Sequence, residues 1–280
     1  MKHTRDTRKK GFHLTKWFLD FAGEDGSVFI CYAARLTWKG ITVPYTHILW
    51  QRPGEPTTQK TRYTRARMPV QDGRQLIWGD PRCQVAGIWE TSVDPLEARL
   101  FESGQGYLDW HCLHPCSRVT LEFEGSQYIG EGYAEVLHMT IPAWEMPMRE
   151  LRWGHFLSPG HWGVWIEIKE ETGPRQWVWW DGKPEAGCRI SDSEIYIPGA
   201  NGSLLLNRGR VLEADKKILQ IVGKLVRYLP GFRKVIPESF LMADAHKWYS
   251  QARMDLGPKE TFTGRAIHEF VNFNPAADGA

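Results

Sequence analysis

Short apolar segments separated by turn residues recur along this chain. Between residues 75 and 125 the candidate strands are Leu76–Trp78, Val85–Thr91, Ala98–Glu102, Tyr107–Leu113 and Val119–Glu124. A spacing of about 8–12 residues is typical of sandwiches and barrels and argues against βαβ units. Antiparallel sheets protect their edges most completely by closing on themselves, so the spacing favours a β-barrel.

The same pattern continues in the second half of the chain. We predict two antiparallel β-barrels, one over residues 12–125 and the other over residues 126–273. One segment differs, because ADKKILQIVGKLVRYL spaces its apolar residues at helical intervals. This predicts a short helix over Lys216–Leu229, packed against a barrel or, alternatively, lying at a membrane surface. The predicted fold class is therefore all-β with one short helix in the second half.

Aromatic residues are abundant, with 14 Trp, 12 Phe and 9 Tyr among 280 residues. Such rings suit the walls of a large apolar pocket, and they also suit an ordinary β-rich core. Charge is nearly balanced, at 35 Lys and Arg against 33 Asp and Glu, so the composition indicates no nucleic-acid partner.

The cysteines and the apolar segments indicate the cellular compartment of the protein. The five cysteines are odd in number and unevenly spaced, which fits reduced thiols better than a disulfide framework. The basic N-terminus lacks the apolar run of a secretory signal, and no segment approaches the roughly 18 apolar residues of a membrane span. We expect a cytoplasmic protein without stable membrane insertion, and a homodimer is compatible with the sequence.

The segment Tyr128–Trp153 carries the most informative pattern for function. Two glycines flank an acid in Gly130-Glu131-Gly132, and in the strand that follows Glu135 shares one face with Leu137, Met139 and Ile141. If that face is buried, the carboxyl group of Glu135 is buried with it. Such burial is costly unless the group is paired or protonated.

A second strand begins near Arg149, after a proline-bounded turn that contains Trp144. Alternation places Arg149 and Trp153 on one face of this strand and Arg152 on the other. Two interpretations remain open. The two strands could direct an acid, arginines and tryptophans into one cavity, or Glu135 could form a buried structural ion pair with one of the arginines.

The run Gly130-Glu131-Gly132-Tyr133-Ala134-Glu135, followed by Arg152-Trp153-Gly154, resembles the G-x-G-Y-x-D/E and N-W-G elements of the hydroxyneurosporene synthase family. That family includes carotenoid 1,2-hydratases and AttH-like proteins, and more distantly tocopherol cyclases and fungal decalin-forming Diels–Alderases. Weaker similarities lie at Leu108-Asp109-Trp110, Lys247-Trp248 and residues 264–269. This chain departs from the pattern in having Glu135 in place of the commoner Asp, and in the displacement of its Trp-Gly pair.

The resemblance implies two lipocalin-like barrels, an apolar ligand pocket and a reaction that needs no metal or redox cofactor. In such a reaction a neutral carboxylic acid protonates an alkene or a carbonyl, and aromatic faces stabilise the cation that develops. Glu135 is the candidate catalytic acid. The candidate ligand-binding residues are Tyr133, His138, Trp144, Arg149, Arg152, Trp153, Trp165 and Glu269. Glu269, on the final strand, is a second inward carboxylate, the partner of a neighbouring arginine, or a residue that caps a barrel end.

The run Trp110-His111-Cys112-Leu113-His114-Pro115-Cys116 invites comparison with a zinc site. Cys112 and His114 would face together on a strand, but Pro115 interrupts it and no second ligand pair has zinc-site spacing. The glycines at 130 and 132 are not a dinucleotide motif, because no helix follows them. We therefore predict no metal and no cofactor.

Taken together, these patterns predict a protein that binds an extended apolar small molecule of isoprenoid or polyketide type. It would act on that molecule as a cofactor-independent, acid-catalysed hydratase, cyclase or isomerase. A non-catalytic carrier or sensor would need the same pocket and could contain the same acid, so the sequence leaves both functions open.

Overall fold

The computed structural model describes residues 11–63, 65–217, 228–229, 231–257 and 260–273, without the side chains of residues 208 and 214–217. Within these residues the chain forms one 10-stranded and one 9-stranded sheet. Every strand pairing in the described part of the chain is antiparallel. The two sheets curl into barrel halves, which confirms the predicted all-β class.

The first sheet contains the N-terminal strands. They are β1 (Phe12–Gly23), β2 (Val28–Trp38), β3 (Ile41–Gln51), β4 (Thr58–Arg62), β5 (Val70–Asp72), β6 (Gln75–Asp80), β7 (Val85–Glu90), β8 (Leu96–Ser103), β9 (Gly106–Phe123) and β10 (Ser126–Met139). Their order in the sheet is β4-β3-β2-β1-β10-β9-β7-β6-β5, and β8 pairs with β9.

The second sheet contains the remaining strands. They are β11 (Glu150–Ser158), β12 (His161–Glu170), β13 (Gly173–Trp180), β14 (Lys183–Glu185), β15 (Arg189–Ile190), β16 (Glu194–Ile197), β17 (Gly202–Lys217), β18 (Asp244–Leu256) and β19 (Glu260–Asn272). Their order is β14-β13-β12-β11-β19-β18-β17-β16-β15.

The described helices are short. Ala143–Glu145 and Phe232–Lys234 are 3-10 turns, and α1 comprises Glu238–Leu241. The helix predicted over Lys216–Leu229 begins inside β17, which pairs with β18 as far as Lys217, and residues 218–227 lie outside the described residues. None of the described helices has the length and apolar composition needed to cross a membrane.

The boundary predicted between residues 125 and 126 differs from the division between the sheets. β10 begins at Ser126, yet it lies in the first sheet, hydrogen-bonded between β1 and β9. The chain passes to the second sheet between Met139 and Glu150. Turn spacing could not reveal this, because the pairing of β10 with β1 joins strands that are far apart in sequence.

The glycines of β10 allow an unusually close approach to β1. A Cβ atom at Gly132 would lie 2.3 Å from the carbonyl oxygen of Asp20, and one at Gly130 would lie 2.2 Å from that of Ala22. The register with β9 shifts between Gly132 and Glu135, as in a β-bulge. The Tyr133 amide, at this shift, donates to the Asp20 carboxylate at 2.9 Å. The glycines thus serve the backbone that positions Tyr133 and Glu135.

The two sheets meet through facing rows of cross-strand neighbours. In the first sheet Phe18 lies opposite both Tyr32 and Glu135. In the second sheet Glu269 lies opposite both Trp153 and Lys247. The rings of Phe18 and Trp153 are in contact across the junction, with centroids 4.8 Å apart. One buried cluster therefore contains residues of both sheets.

We expect Gly132→Ala to destabilise the protein by about 1–3 kcal/mol, since the added methyl group meets backbone that cannot easily move. Denaturant unfolding followed by tryptophan fluorescence measures this. Gly104→Ala is the control, because a Cβ at Gly104 meets nothing within 4 Å, and it should change the free energy of unfolding by less than about 0.5 kcal/mol. Equal stability of both variants would contradict the close approach of β10 to β1.

Candidate active site

A cavity of about 310 Å³ lies where the two sheets meet. Strands of both sheets and the segments around residues 143–148 and 232–240 line it. Its walls are mainly apolar and aromatic, and the Lys, Arg, Asp and Glu side chains among the described lining residues are Lys16, Glu135 and Glu269. Its volume is at the lower end of the range for small-molecule sites.

The carboxyl group of Glu135 is held by neutral hydrogen-bond donors. Its Oε2 atom accepts hydrogen bonds from the Tyr133 hydroxyl at 2.6 Å, from the Trp153 indole N–H at 3.0 Å and from the indole N–H of Trp110. The other oxygen, Oε1, accepts none of these three bonds. Tyr133 and Trp110 belong to the first sheet and Trp153 to the second, so the acid joins both.

Burial raises the pKa of Glu135 above its ordinary value. The hydrogen bonds from Tyr133, Trp110 and Trp153 and the charge of Lys16 act in the opposite direction without reversing the shift. Burial also raises the pKa of Tyr133 well above its ordinary value, so this phenol stays protonated and can donate. Glu135 is consequently a weaker acid than an exposed glutamate, and three donors already bond to its carboxyl group.

A buried acid–histidine pair positions Tyr133. The Asp20 carboxylate accepts the Tyr133 amide proton through Oδ1, and its Oδ2 lies 2.5 Å from Nε2 of His155. The His155 ring stacks on the Tyr133 ring with centroids 4.5 Å apart and planes 1° apart. Asp20 and His155 are 1% and 3% exposed. Asp20 therefore holds the backbone amide of Tyr133, and His155 holds its ring.

A second polar group lies beside the cavity. Nζ of Lys247, whose side chain is 1% exposed, contacts Oε2 of Glu269 at 2.5 Å. The Lys247 ammonium group also lies 5.5–5.8 Å from the ring centroids of Phe18, Tyr32 and Trp153. Glu269 thus lines the cavity, as in the first of its sequence-based interpretations, and its partner is a lysine and not the arginine of the alternative interpretation.

The structure places four of the expected ligand-binding residues at the cavity or at the acid. Trp144, Trp153 and Glu269 line the cavity together with Glu135, and Tyr133 bonds to the Glu135 carboxyl group. The interpretation of Glu135 as an ion-pair partner of an arginine is wrong, because its described hydrogen-bond partners are a phenol and two indoles.

The other expected residues lie away from the cavity. Arg149 is exposed and pairs with Glu171. Arg152 is held on the opposite face of β11 from Trp153, where it pairs with three acids. His138 faces away from Glu135 and bonds to Thr15, and Trp165 packs in a separate cluster on the far side of the second sheet. These side chains therefore take no part in the site.

Sequence reasoning missed several residues that build the site. They are Lys16, Asp20, Trp110, His155 and Lys247. A signal was present for the two lysines, since each is a charged residue at an inward position of an otherwise apolar alternation. The contacts of Asp20 with Tyr133 and His155 had no such signal, because they join strands that are distant in the sequence.

The residues compared with a zinc site are engaged elsewhere. The His114 ring bonds to Ser117 through Nδ1 at 3.1 Å and to Gln71 through Nε2 at 3.0 Å. The Cys112 thiol contacts the carbonyl oxygen of Ala134 at 3.7 Å. Over the described residues no three His, Cys, Asp or Glu side chains are grouped so as to hold a metal ion.

No family model matches the chain. A stretch of 111 residues is 29% identical to a catalase-peroxidase of Archaeoglobus fulgidus. This match covers 38% of the chain and only 12% of that enzyme, so the chain spans about an eighth of this curated relative and the match shows no family.

Solved structures that resemble the chain show its fold. CghA with Sch210972 superposes with a TM-score of 0.54 at 10% identity, covering 93% of this chain and 88% of CghA. A putative AttH from Nitrosomonas europaea gives 0.54 at 9% identity and 96% coverage of both chains. Kievitone hydratase from Nectria haematococca gives 0.52 at 9% identity, covering 95% of this chain and 90% of the hydratase. The suspected family resemblance is confirmed at the level of the fold.

The pKa of His114 predicts an acid-sensitive stability. Burial lowers this pKa from 6.5 to about 4, so the unfolded chain binds a proton more readily than the folded chain between these values. The stabilising effect of neutral His114 is present above pH 6.5 and is lost as the pH falls towards 4. Denaturant unfolding across this range should show a steeper loss for the wild type than for His114→Asn. Parallel curves would contradict a buried neutral His114.

The pair Lys247–Glu269 is expected to be coupled in stability. Glu269→Gln should cost about 3 kcal/mol, the lower end for breaking a buried pair, because it leaves the Lys247 charge uncompensated. Adding Lys247→Met should recover part of that loss, with a coupling of about 1–3 kcal/mol in a double-mutant cycle. The exposed pair Lys60–Glu124 is the matched control, and its coupling should not exceed about 1 kcal/mol. Equal coupling in both cycles would contradict the buried pair.

Proposed function

We propose that this protein binds an extended apolar small molecule in the cavity between its sheets and transfers a proton to it from Glu135. It would act as a cofactor-independent hydratase, cyclase or isomerase. The observation that carries the proposal is the unequal bonding of the Glu135 carboxyl group. Oε2 accepts all three neutral donors, Oε1 accepts none of them, and the group borders an apolar cavity.

This bonding suits a proton donor. Because Oε2 already accepts three hydrogen bonds, the acidic proton is best placed on Oε1. When the π electrons of a substrate alkene form a C–H bond with that proton, negative charge develops on the carboxyl group. The donors from Tyr133, Trp110 and Trp153 then strengthen their bonds to it, so the conjugate base is stabilised without prior rearrangement.

The aromatic walls suit the other product of proton transfer. Protonation leaves a carbocation on the neighbouring carbon, and the ring faces of Phe18, Tyr32 and Trp153 can stabilise positive charge there. Water can add to the cation and return a proton to the Glu135 carboxylate, which gives a hydration. An internal alkene can add instead, and the new cation then loses a proton to the Glu135 carboxylate, which gives a cyclisation. Direct loss of a different proton from the first cation to Glu135 gives an isomerisation.

The proteins of similar structure support this class of function. One of them is named a hydratase and another was solved with the small molecule Sch210972. Their identity to this chain is about one residue in ten, so they support small-molecule chemistry on this fold without indicating the substrate.

A non-catalytic carrier is the second candidate. The observation that favours it is that three donors would also satisfy an acid whose role is purely structural. A carrier would use the same cavity, and the two functions differ only in turnover.

The variant Glu135→Gln distinguishes the catalytic function from the carrier function. The amide oxygen can accept the same three hydrogen bonds, so the protein should remain folded and bind apolar ligands as before. Its acidity is lost, so turnover should fall roughly 10²–10⁴-fold. Incubation with apolar alkenes of isoprenoid and polyketide type in D2O, followed by mass spectrometry, measures turnover as carbon-bound deuterium.

Glu131→Gln is the matched control. Glu131 lies on the same strand but pairs with Arg265 outside the cavity, so its loss should leave deuterium incorporation unchanged. A Glu135→Gln protein that keeps full incorporation would end the catalytic proposal. Absence of incorporation by the wild type with every alkene, together with tight binding, would favour the carrier.

A further inference from the structure

Lys16 places an amino group at the wall of the cavity. It stands on β1, opposite Leu137 of β10, while Phe18 stands opposite Glu135. Lys16 and Glu135 are therefore diagonal neighbours on one face of adjacent strands, a relation in which residues lie about 7–8 Å apart and their Cβ atoms somewhat closer. Both side chains line the same cavity.

The carboxylates near Lys16 are committed elsewhere. Glu269 is in contact with Lys247 at 2.5 Å, and the Glu135 carboxyl group accepts hydrogen bonds from three neutral donors while burial raises its pKa. Within the described residues, Lys16 has no ion pair, and its recorded contact is with the face of the Tyr32 ring, 4.7 Å from the centroid. Lys16 is partly buried at a mainly apolar wall, and an ammonium group in such a position is costly without a counter-ion.

The pKa of Lys16 reflects its burial and the charges around it. Burial lowers its pKa, Glu269 raises it, Lys247 lowers it, and Glu135 and Glu213 raise it, in that order of size. The net shift is downwards, so the surrounding acids do not compensate for burial. An anion that entered the cavity would supply the missing partner and favour the ammonium form.

We propose that the natural ligand carries an anionic oxygen at one end of its apolar body, and that Lys16 is the residue that pairs with it. A carboxylate is the simplest such head group. This inference rests on the proposed function and narrows it, because it gives the apolar ligand an acidic head and assigns its orientation. Lys16 acts here as a binding residue, and Glu135 remains the proton donor.

Two probes of equal chain length test the proposal. Decanoic acid, which is ionised at a pH of about 7, and 1-decanol differ at the head group and share the apolar chain. Isothermal titration calorimetry should show that the wild type prefers decanoate by roughly 10- to 100-fold, the effect of one charge-assisted hydrogen bond. Lys16→Met should abolish this preference and leave decanol binding unchanged. Lys16→Arg should restore most of it.

Two control variants locate the effect. Lys183→Met removes an exposed lysine from β14 and should keep the full preference for decanoate. Lys60→Met, which removes an exposed lysine from β4, should keep it too.

The outcomes distinguish this inference from the function on which it rests. Equal binding of the two probes by the wild type would overturn the inference and leave the apolar site intact. A Lys16→Met variant that weakens both probes equally would also overturn it, since Lys16 would then support the fold alone. Failure of both probes to bind the wild type would overturn the apolar site itself and the inference with it.

Discussion

The site depends on a buried carboxyl group whose partners are neutral. A guanidinium group at about 4 Å would favour the carboxylate by several kcal/mol even at an intermediate dielectric constant. The phenol and the two indoles that bond to Glu135 exert a weaker effect, and burial remains the dominant influence on its pKa. The presence of tyrosine and tryptophan in place of arginine therefore leaves the pKa of this acid above its ordinary value.

This arrangement requires both sheets at once. Trp153 reaches Glu135 from β11 of the second sheet, and His155 of the same strand pairs with Asp20 of the first. Asp20 in turn fixes the Tyr133 amide where the glycines of β10 bring it close to β1. A relative movement of the sheets would consequently disturb the donors of the acid.

The sequence predicted the strands better than it predicted their partners. Alternation alone placed Glu135 and Glu269 on inward faces, because a two-residue period follows directly from the pleat. It could not reveal that Arg152 would find three acids on the opposite face of β11 from Trp153 or that β10 would belong to the first sheet. Both depend on pairings between distant strands. The inward lysines were visible in the alternation of β1 and β18, but a charged residue within a strand is normally assigned to solvent.

The separation of the two lysines limits the chemistry that the cavity can perform. Two acids, Glu135 and Glu269, are among the described residues that line the cavity. Glu269 is paired with Lys247, whereas Glu135 is bonded by neutral donors and has Lys16 as its diagonal neighbour. A ligand head held by Lys16 would bring carbon atoms a few bonds away beside Oε1 of Glu135, with the rest of the apolar body in contact with aromatic walls. Proton transfer would then occur close to the polar end of the ligand. The spacing of two side chains on adjacent strands would therefore select which carbon receives the proton.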